Sequence, residues 1–170
     1  MSINFRIIIL NYLIKEKPTA VVTTGAKHFG RNLESVVFIT LFYESNFIAH
    51  INANRLSPVK VRSTLIGGSK KMLFWDDLKF DEKIKIYDKG VNIKTKKGIY
   101  NLLVEYRSGD MCSPKIDSQE ALKREMEYFI YCIKSNKKPI NDGYAGLQVV
   151  KILEATDKSL KSSKKVRLKL

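Results

Sequence analysis

The chain holds only two cysteines, Cys112 and Cys132, well separated in sequence. Two are too few for a disulfide scaffold, and no metal-ligand spacing surrounds them, so they read as reduced thiols of a cytoplasmic protein. Neither has a histidine partner, and both read as structural rather than nucleophilic. Long apolar runs are missing too. The run near the start, Ile7 to Leu10, is far too short to span a bilayer, and no small-residue cleavage site follows it. Histidine is scarce: His28 and His50 have no Cys, His, Asp or Glu at ligand spacing, so no metal site is expected. Nowhere does a Gly-x-Gly-x-x-Gly join a strand to a helix. Gly67-Gly68 lies between two expected strands, where no helix N-terminus faces a pyrophosphate. These residues therefore offer no visible dinucleotide site.

Acidic residues are also in the minority, 17 against 31 Lys and Arg, for a net charge of +14. Such a balance first suggests nucleic acid. The lysines, however, stand singly or in pairs, often beside acids, as in "DDLKFDEKIKIYDKG". The one true basic block, "KSLKSSKKVRLKL" (158–170), lacks the interleaved aromatics that stack on bases. The reading is a solvated Lys-rich surface with a frayed tail over 161–170, and nucleic acid is not expected as a partner.

What is present suits one globular domain spanning 1–170: 44% hydrophobic residues and 28% charged ones, with eight Tyr, eight Phe and one Trp to anchor a core. "RIIILNYLI" (6–14) fits a short buried helix or a strand, and the exit through Lys15-Glu16-Lys17-Pro18 favours a helix. "TAVVTTGA" (19–26), "ESVVFITLFY" (34–43) and "FIAHINANR" (47–55) read as strands, the last two joined by the polar turn Glu44-Ser45-Asn46. Along 47–55, Phe47, Ala49, Ile51 and Ala53 form an apolar face, while Ile48, His50, Asn52 and Asn54 form the other. His50 reads as a hydrogen-bonded sheet histidine, with contact to a substrate or a neighbouring subunit as the alternative. Further strands are expected over 60–68, 70–77, 82–90 and 98–106, with Gly67-Gly68-Ser69 as a turn.

From residue 117 the period changes. Asp117 and Glu120 form a capping box ahead of Leu122, Met126, Phe129, Ile130 and Ile133 at helical spacing. Asp142-Gly143 opens a second helix with Leu147, Val150, Leu153 and Leu160 on one face. Strands first and helices last make the class α+β, a mostly antiparallel twisted sheet with helices packed on one face.

Five segments in order carry a resemblance: "LIKEKPTAVVTTGA", "FIAHINANRLSPVKVRSTLIGGSKKMLFWDD", "EKIKIYDKG", "YRSGDMCSPKIDSQEALKREMEYFIYCIKSNKKPI" and "DGYAGLQVVKILEATDKSLK". Together they resemble the C-terminal domain of the Gfo/Idh/MocA oxidoreductases, the glucose–fructose oxidoreductase and inositol dehydrogenase family. The resemblance implies a domain that lines a sugar or nucleotide-sugar pocket and self-associates through its open sheet face. NAD or NADP is implied for the intact enzyme, on a Rossmann domain that these residues do not contain. It also implies that Glu16-Lys17-Pro18 is a helix-to-strand corner and not the family's catalytic lysine motif. Phe5 and Arg6 stand at about the positions where relatives carry a catalytic His, so no catalytic residue is assigned. A truncated or split gene product, inactive without its Rossmann polypeptide, is the economical expectation.

Two loops are the candidate substrate contacts. "RLSPVKVR" (55–62) presents Arg55, Lys60 and Arg62, and "YRSGDMCSP" (106–114) presents Tyr106, Arg107 and Asp110. Arg and Lys suit phosphates or a carboxylate, and Asp110 a sugar hydroxyl. Relatives often carry tryptophan where Arg55 stands. The alternative function is a stand-alone binding or assembly module whose basic surface or tail meets an anionic partner.

Overall fold

The computed structural model describes residues 3–28, 30, 33–94, 103–107, 109–117 and 119–170. In chain order the elements are α1 (Ile3–Leu13), β1 (Ala20–Ala26), β2 (Val36–Phe42), β3 (Ile48–Asn54), β4 (Ser63–Gly67) and β5 (Met72–Asp76). They continue with β6 (Ile84–Tyr87), β7 (Gly90–Lys94), β8 (Leu103–Arg107), β9 (Met111–Cys112), α2 (Ala121–Lys134), α3 (Gly143–Ser162) and β10 (Val166–Arg167). The chain divides into two compact units, 1–58 with 124–170, and 59–123.

The first unit is built on an antiparallel sheet in the order β10-β1-β2-β3. Its strands are rich in β-branched residues, whose stiff side chains suit a pleated surface. The β2–β3 register sets Leu41 opposite Ala49 and Ile39 opposite Ile51, so one face is continuously apolar. Against it lie Ile7 of α1 and Val149, Ile152 and Ala155 of α3, closing a core with Val21, Ile39, Leu41, Tyr43, Ala49 and Ile51. The turn after β2 needs a left-handed residue, and Asn46 supplies it at φ 60.

Asp142 caps α3 as its sequence suggests, its Oδ1 accepting from the Ala145 N–H at 2.8 Å. The Lys138 ammonium at 2.7 Å, and then that N–H, hold the Asp142 carboxyl below its ordinary range. The buried face differs from the one expected. Val149, Ile152, Ala155, Thr156 and Ser159 are buried, whereas Leu147 and Val150 are half exposed. The helix turns its smaller side chains inward because it lies close on β1, where the Ser159 Oγ accepts from the Thr23 N–H at 2.9 Å. Gly25 is part of that approach: a Cβ there would meet Leu160 Cδ1 at 3.1 Å and the Val36 carbonyl oxygen at 3.1 Å.

Two further expectations are corrected. The basic end is not frayed: α3 runs to Ser162, β10 pairs Val166 with Val21 and Arg167 with Ala20, and Leu168 donates to the Thr19 carbonyl at 2.8 Å. Val166, Leu168 and Leu170 pack on the core, so alternating apolar residues override the charge of the block. In α2, the helix starts at Ala121, later than a cap at Asp117 would place it. Its apolar stripe does not pack inward, and Cys132 is its one buried residue.

The second unit carries the antiparallel ladder β4-β5-β6-β9 and the hairpin β7-β8. The β4–β5 turn closes where the glycines predicted, with the Gly68 N–H donating to the Lys71 carbonyl at 3.0 Å. Every described ladder in both units is antiparallel, so the α+β expectation stands. Strands β7, β9 and β10 are additions to the expected set, and 98–102 of the expected last strand lie outside the described residues.

Candidate functional site

Glu16-Lys17-Pro18 forms the corner between α1 and β1. The Glu16 Oε1 accepts from the Ser45 N–H at 3.0 Å, tying the corner to the β2–β3 turn. Hydrogen bonding from Ser45 holds the Glu16 carboxyl below its ordinary range. An open groove of about 320 Å³ runs past Glu16, Lys17, Pro18, Thr19, Glu44, Leu168 and Leu170. Its lining offers one ammonium and two carboxylates on a solvent-washed rim, with no general acid–base pair held in an apolar cleft. Tyr43, next in chain to Glu44, is buried, and its hydroxyl has no partner among the described residues. Burial, and then the charge of Glu16, pushes the phenol up to about 12, so it stays neutral at physiological pH.

The outward face of the first sheet is more polar at its centre. His50 Nδ1 lies 3.1 Å from Thr40 Oγ1, its neighbour across the β2–β3 ladder, and its ring stacks on Phe38 at 5.9 Å. Ile48 is 57% and Phe38 39% exposed, so this face offers apolar area around a polar centre. Lys165 caps the Phe42 ring at 4.0 Å. His28, the other histidine, is a loop residue 2.8 Å from Ser35 Oγ.

The five candidate substrate contacts are distributed over both units. Arg55 follows β3 in the first unit, exposed, with its N–H donating to the Ser35 carbonyl at 2.9 Å. Lys60, Arg62, Arg107 and Asp110 belong to the second. Lys60 is exposed. Arg62 is half-buried and held: its Nη1 lies 3.4 Å from Asp77 Oδ2, and its carbonyl accepts from the Asp77 N–H at 3.0 Å. Its buried Nε has no partner among the described residues. Asp77 was not among the sequence candidates, yet hairpin counting finds it, because Ser63 pairs with Asp76 and the next residues outward are Arg62 and Asp77. Arg107 is the last residue of β8, paired with Gly90. Asp110 is exposed in the loop after it, its carbonyl accepting from the Asp88 N–H at 2.8 Å. Asp88 explains the glycine beside it, since a Cβ on Gly109 would meet the Asp88 carbonyl oxygen at 2.5 Å. Among the described residues, no three His, Cys, Asp or Glu could hold a metal ion, and no helix is long and apolar enough to cross a membrane.

The fold is that of the C-terminal domain of Gfo/Idh/MocA-type oxidoreductases. UDP-N-acetylglucosamine 3-dehydrogenase GnnA from Acidithiobacillus ferrooxidans matches with a TM-score of 0.70 at 19% identity, over 94% of this chain and 47% of that one. The aldose-aldose oxidoreductase from Caulobacter crescentus, solved with glycerol, matches at 0.72 and 17%, over 97% and 45%. The WlbA dehydrogenase from Bordetella pertussis, solved with NADH and UDP-GlcNAcA, matches at 0.65 and 16%, over 98% and 43%. This chain thus spans about half the length of these structures. No family model matches the sequence, and no curated protein does.

Proposed function

We propose that this chain is the substrate-lining and oligomerising domain of a cytoplasmic NAD- or NADP-dependent sugar or nucleotide-sugar oxidoreductase, inactive without a dinucleotide-binding partner. One observation carries the reading: almost the whole chain takes the fold of one half of enzymes whose names describe sugar and nucleotide-sugar oxidoreduction. Arg55, Lys60, Arg62, Arg107 and Asp110 supply the substrate contacts. Arginine and lysine meet the phosphates or carboxylate of a nucleotide sugar, and the Asp110 carboxylate accepts from a sugar hydroxyl. With Arg62 already clamped by Asp77, its contribution is a fixed cation at the end of a hairpin. Hydride and proton transfer belong to the partner-bearing enzyme, because no acid–base pair is assigned among these residues. The outward face of the first sheet, with exposed Phe38 and Ile48 around His50, meets a second copy.

The reading of a stand-alone module with a basic tail loses its main support, since that segment forms β10 and packs on the core. The test is the DNA upstream of codon 1, read in every frame. A strand–Gly-x-Gly-x-x-Gly–helix unit is expected. Unrelated sequence there, with no such polypeptide bound to the protein in its own cells, overturns the proposal.

A further inference from the structure

The block from Lys158 to Leu170 contains no Asp or Glu, and as a sequence it has neither an aromatic nor a fixed shape. The fold supplies both. Strand β10 pairs Val166 with Val21 and Arg167 with Ala20, while Val166, Leu168 and Leu170 pack on the core. Side chains alternate along a strand, so Lys165, Arg167 and Lys169 stand together on the outward side, and all three are exposed. Two residue rises, about 6.6–6.8 Å, separate each from the next. The aromatic comes from β2. Phe42 lies in register with Ala20, the partner of Arg167, and the Lys165 ammonium sits 4.0 Å from the centre of its ring, which ties that lysine to the sheet. Lys151 of α3 adds a further cation at the end of the row, its Nζ donating to the Lys169 carbonyl at 3.4 Å. None of Lys165, Arg167 and Lys169 forms an ion pair among the described residues. An uncompensated row of like charge repels itself and raises a positive potential along this edge of the sheet.

We infer that this row is a rim that tracks the phosphates of single-stranded nucleic acid, through the backbone and without sequence preference. The inference goes beyond the proposed function and stands without it. Charge and shape select the occupant. A linear polyanion releases condensed counterions wherever a lysine or arginine neutralises a phosphate, so a row of cations suits it. A duplex is read by an element that enters its groove, whereas a flexible single strand can follow one sheet edge. The apolar residues of the row face the core, which leaves none to enter a lipid surface. The row is also separate from the His50 centre, because β10 and β3 are opposite edges of the sheet.

The experiment follows the fluorescence anisotropy of a labelled oligouridylate of about 15 nucleotides as the full chain is added at several salt concentrations. Contacts to three phosphates predict a slope of about −2 for log K against log salt, or about 20-fold in affinity between about 50 and 200 mM salt. Combining Lys165→Ala, Arg167→Ala and Lys169→Ala should bring that slope toward zero and weaken binding at low salt by about tenfold or more. Combining Lys71→Ala, Lys79→Ala and Lys115→Ala, exposed lysines of the second unit, lowers the net charge equally and should leave affinity and slope unchanged. All six side chains are exposed, and circular dichroism checks each fold. Lys169→Glu alone, outside the β10–β1 pairs, should also weaken binding and serves if the triple variant unfolds. Equal losses from the two triple variants would make binding a matter of net charge and overturn the inference. No binding by the parent at low salt overturns it as well. So does capture by phosphatidylserine vesicles, lost in the β10 variant, with no binding of the oligouridylate.

Discussion

Replacing Ser159 with alanine should destabilise the protein by about 2–4 kcal/mol, from two groups the hydroxyl joins. Ser159 is fully buried, and its Oγ accepts from the Thr23 N–H at 2.9 Å while donating to the Lys164 carbonyl at 2.7 Å. It thereby continues the edge pairing of β1 beyond the point where β10 ends. Without it, the Thr23 amide is left in a site only 2% exposed, which costs about 1–3 kcal/mol. The Lys164 carbonyl is nearer solvent and loses only about 1 kcal/mol, the net worth of one hydrogen bond. For a chain of this size, that lowers the melting temperature by about 4–16 °C. Urea unfolding followed by circular dichroism measures it, with hydrogen exchange at Thr23 as the local readout. Ser162→Ala is the control: its Oγ donates to the Lys158 carbonyl at 2.7 Å on an exposed turn, and its loss should stay within about 0.5 kcal/mol. Equal effects of the two substitutions would refute the claim that α3 and the C-terminal strand are locked onto β1.

Ile152→Ala empties the contact between α3 and the sheet, where Ile152 is fully buried, and should cost about 2–5 kcal/mol by thermal melting. A loss well under 1 kcal/mol would mean that α3 does not cover this core. Tyr43→Phe should be neutral or stabilising near pH 7, because the hydroxyl it removes is buried without a partner among the described residues. The same variant separates from the parent in alkali. The folded phenol is pushed from 10.0 up to about 12, so the folded state holds its proton more tightly than the unfolded chain does. The stability this confers is complete below pH 10.0 and lost as pH rises toward about 12. Melting temperatures across that range should fall more steeply for the parent than for Tyr43→Phe, and parallel curves would contradict the assignment.

Much of the first unit was legible because period and turn chemistry agree there. Alternation along 47–55 fixes which side of β3 is buried, and the polar turn before it fixes the pairing with β2. The Asp142 cap was equally plain, since a short carboxylate ahead of a periodic run leaves the chain few other choices. The α3 face was harder. Sequence favours the largest apolar residues, while the fold buries Ala155, Thr156 and Ser159 so that the helix can approach β1. The C-terminal strand was hidden by charge: Lys164, Lys165, Arg167 and Lys169 mask the alternation of Val166, Leu168 and Leu170. In α2, periodicity located the helix but could not say that its stripe faces away from the core. Of the candidate contacts, only the clamp of Arg62 by Asp77 follows from hairpin register. Arg107 ends β8, and Arg55, Lys60 and Asp110 sit on loops, where residue type suggests chemistry but spacing does not fix position.

The most direct test of the account is nicotinamide reduction by nucleotide sugars and free aldoses. It is measured on this chain alone and then on the chain joined to, or mixed with, any dinucleotide-binding polypeptide that the upstream DNA is found to encode. The account predicts no reduced NAD or NADP from the chain alone and sustained reduction from the combination, weakened by Lys60→Ala and Arg62→Ala through a higher KM. Turnover by the chain alone, or none from a folded and bound pair, would contradict it.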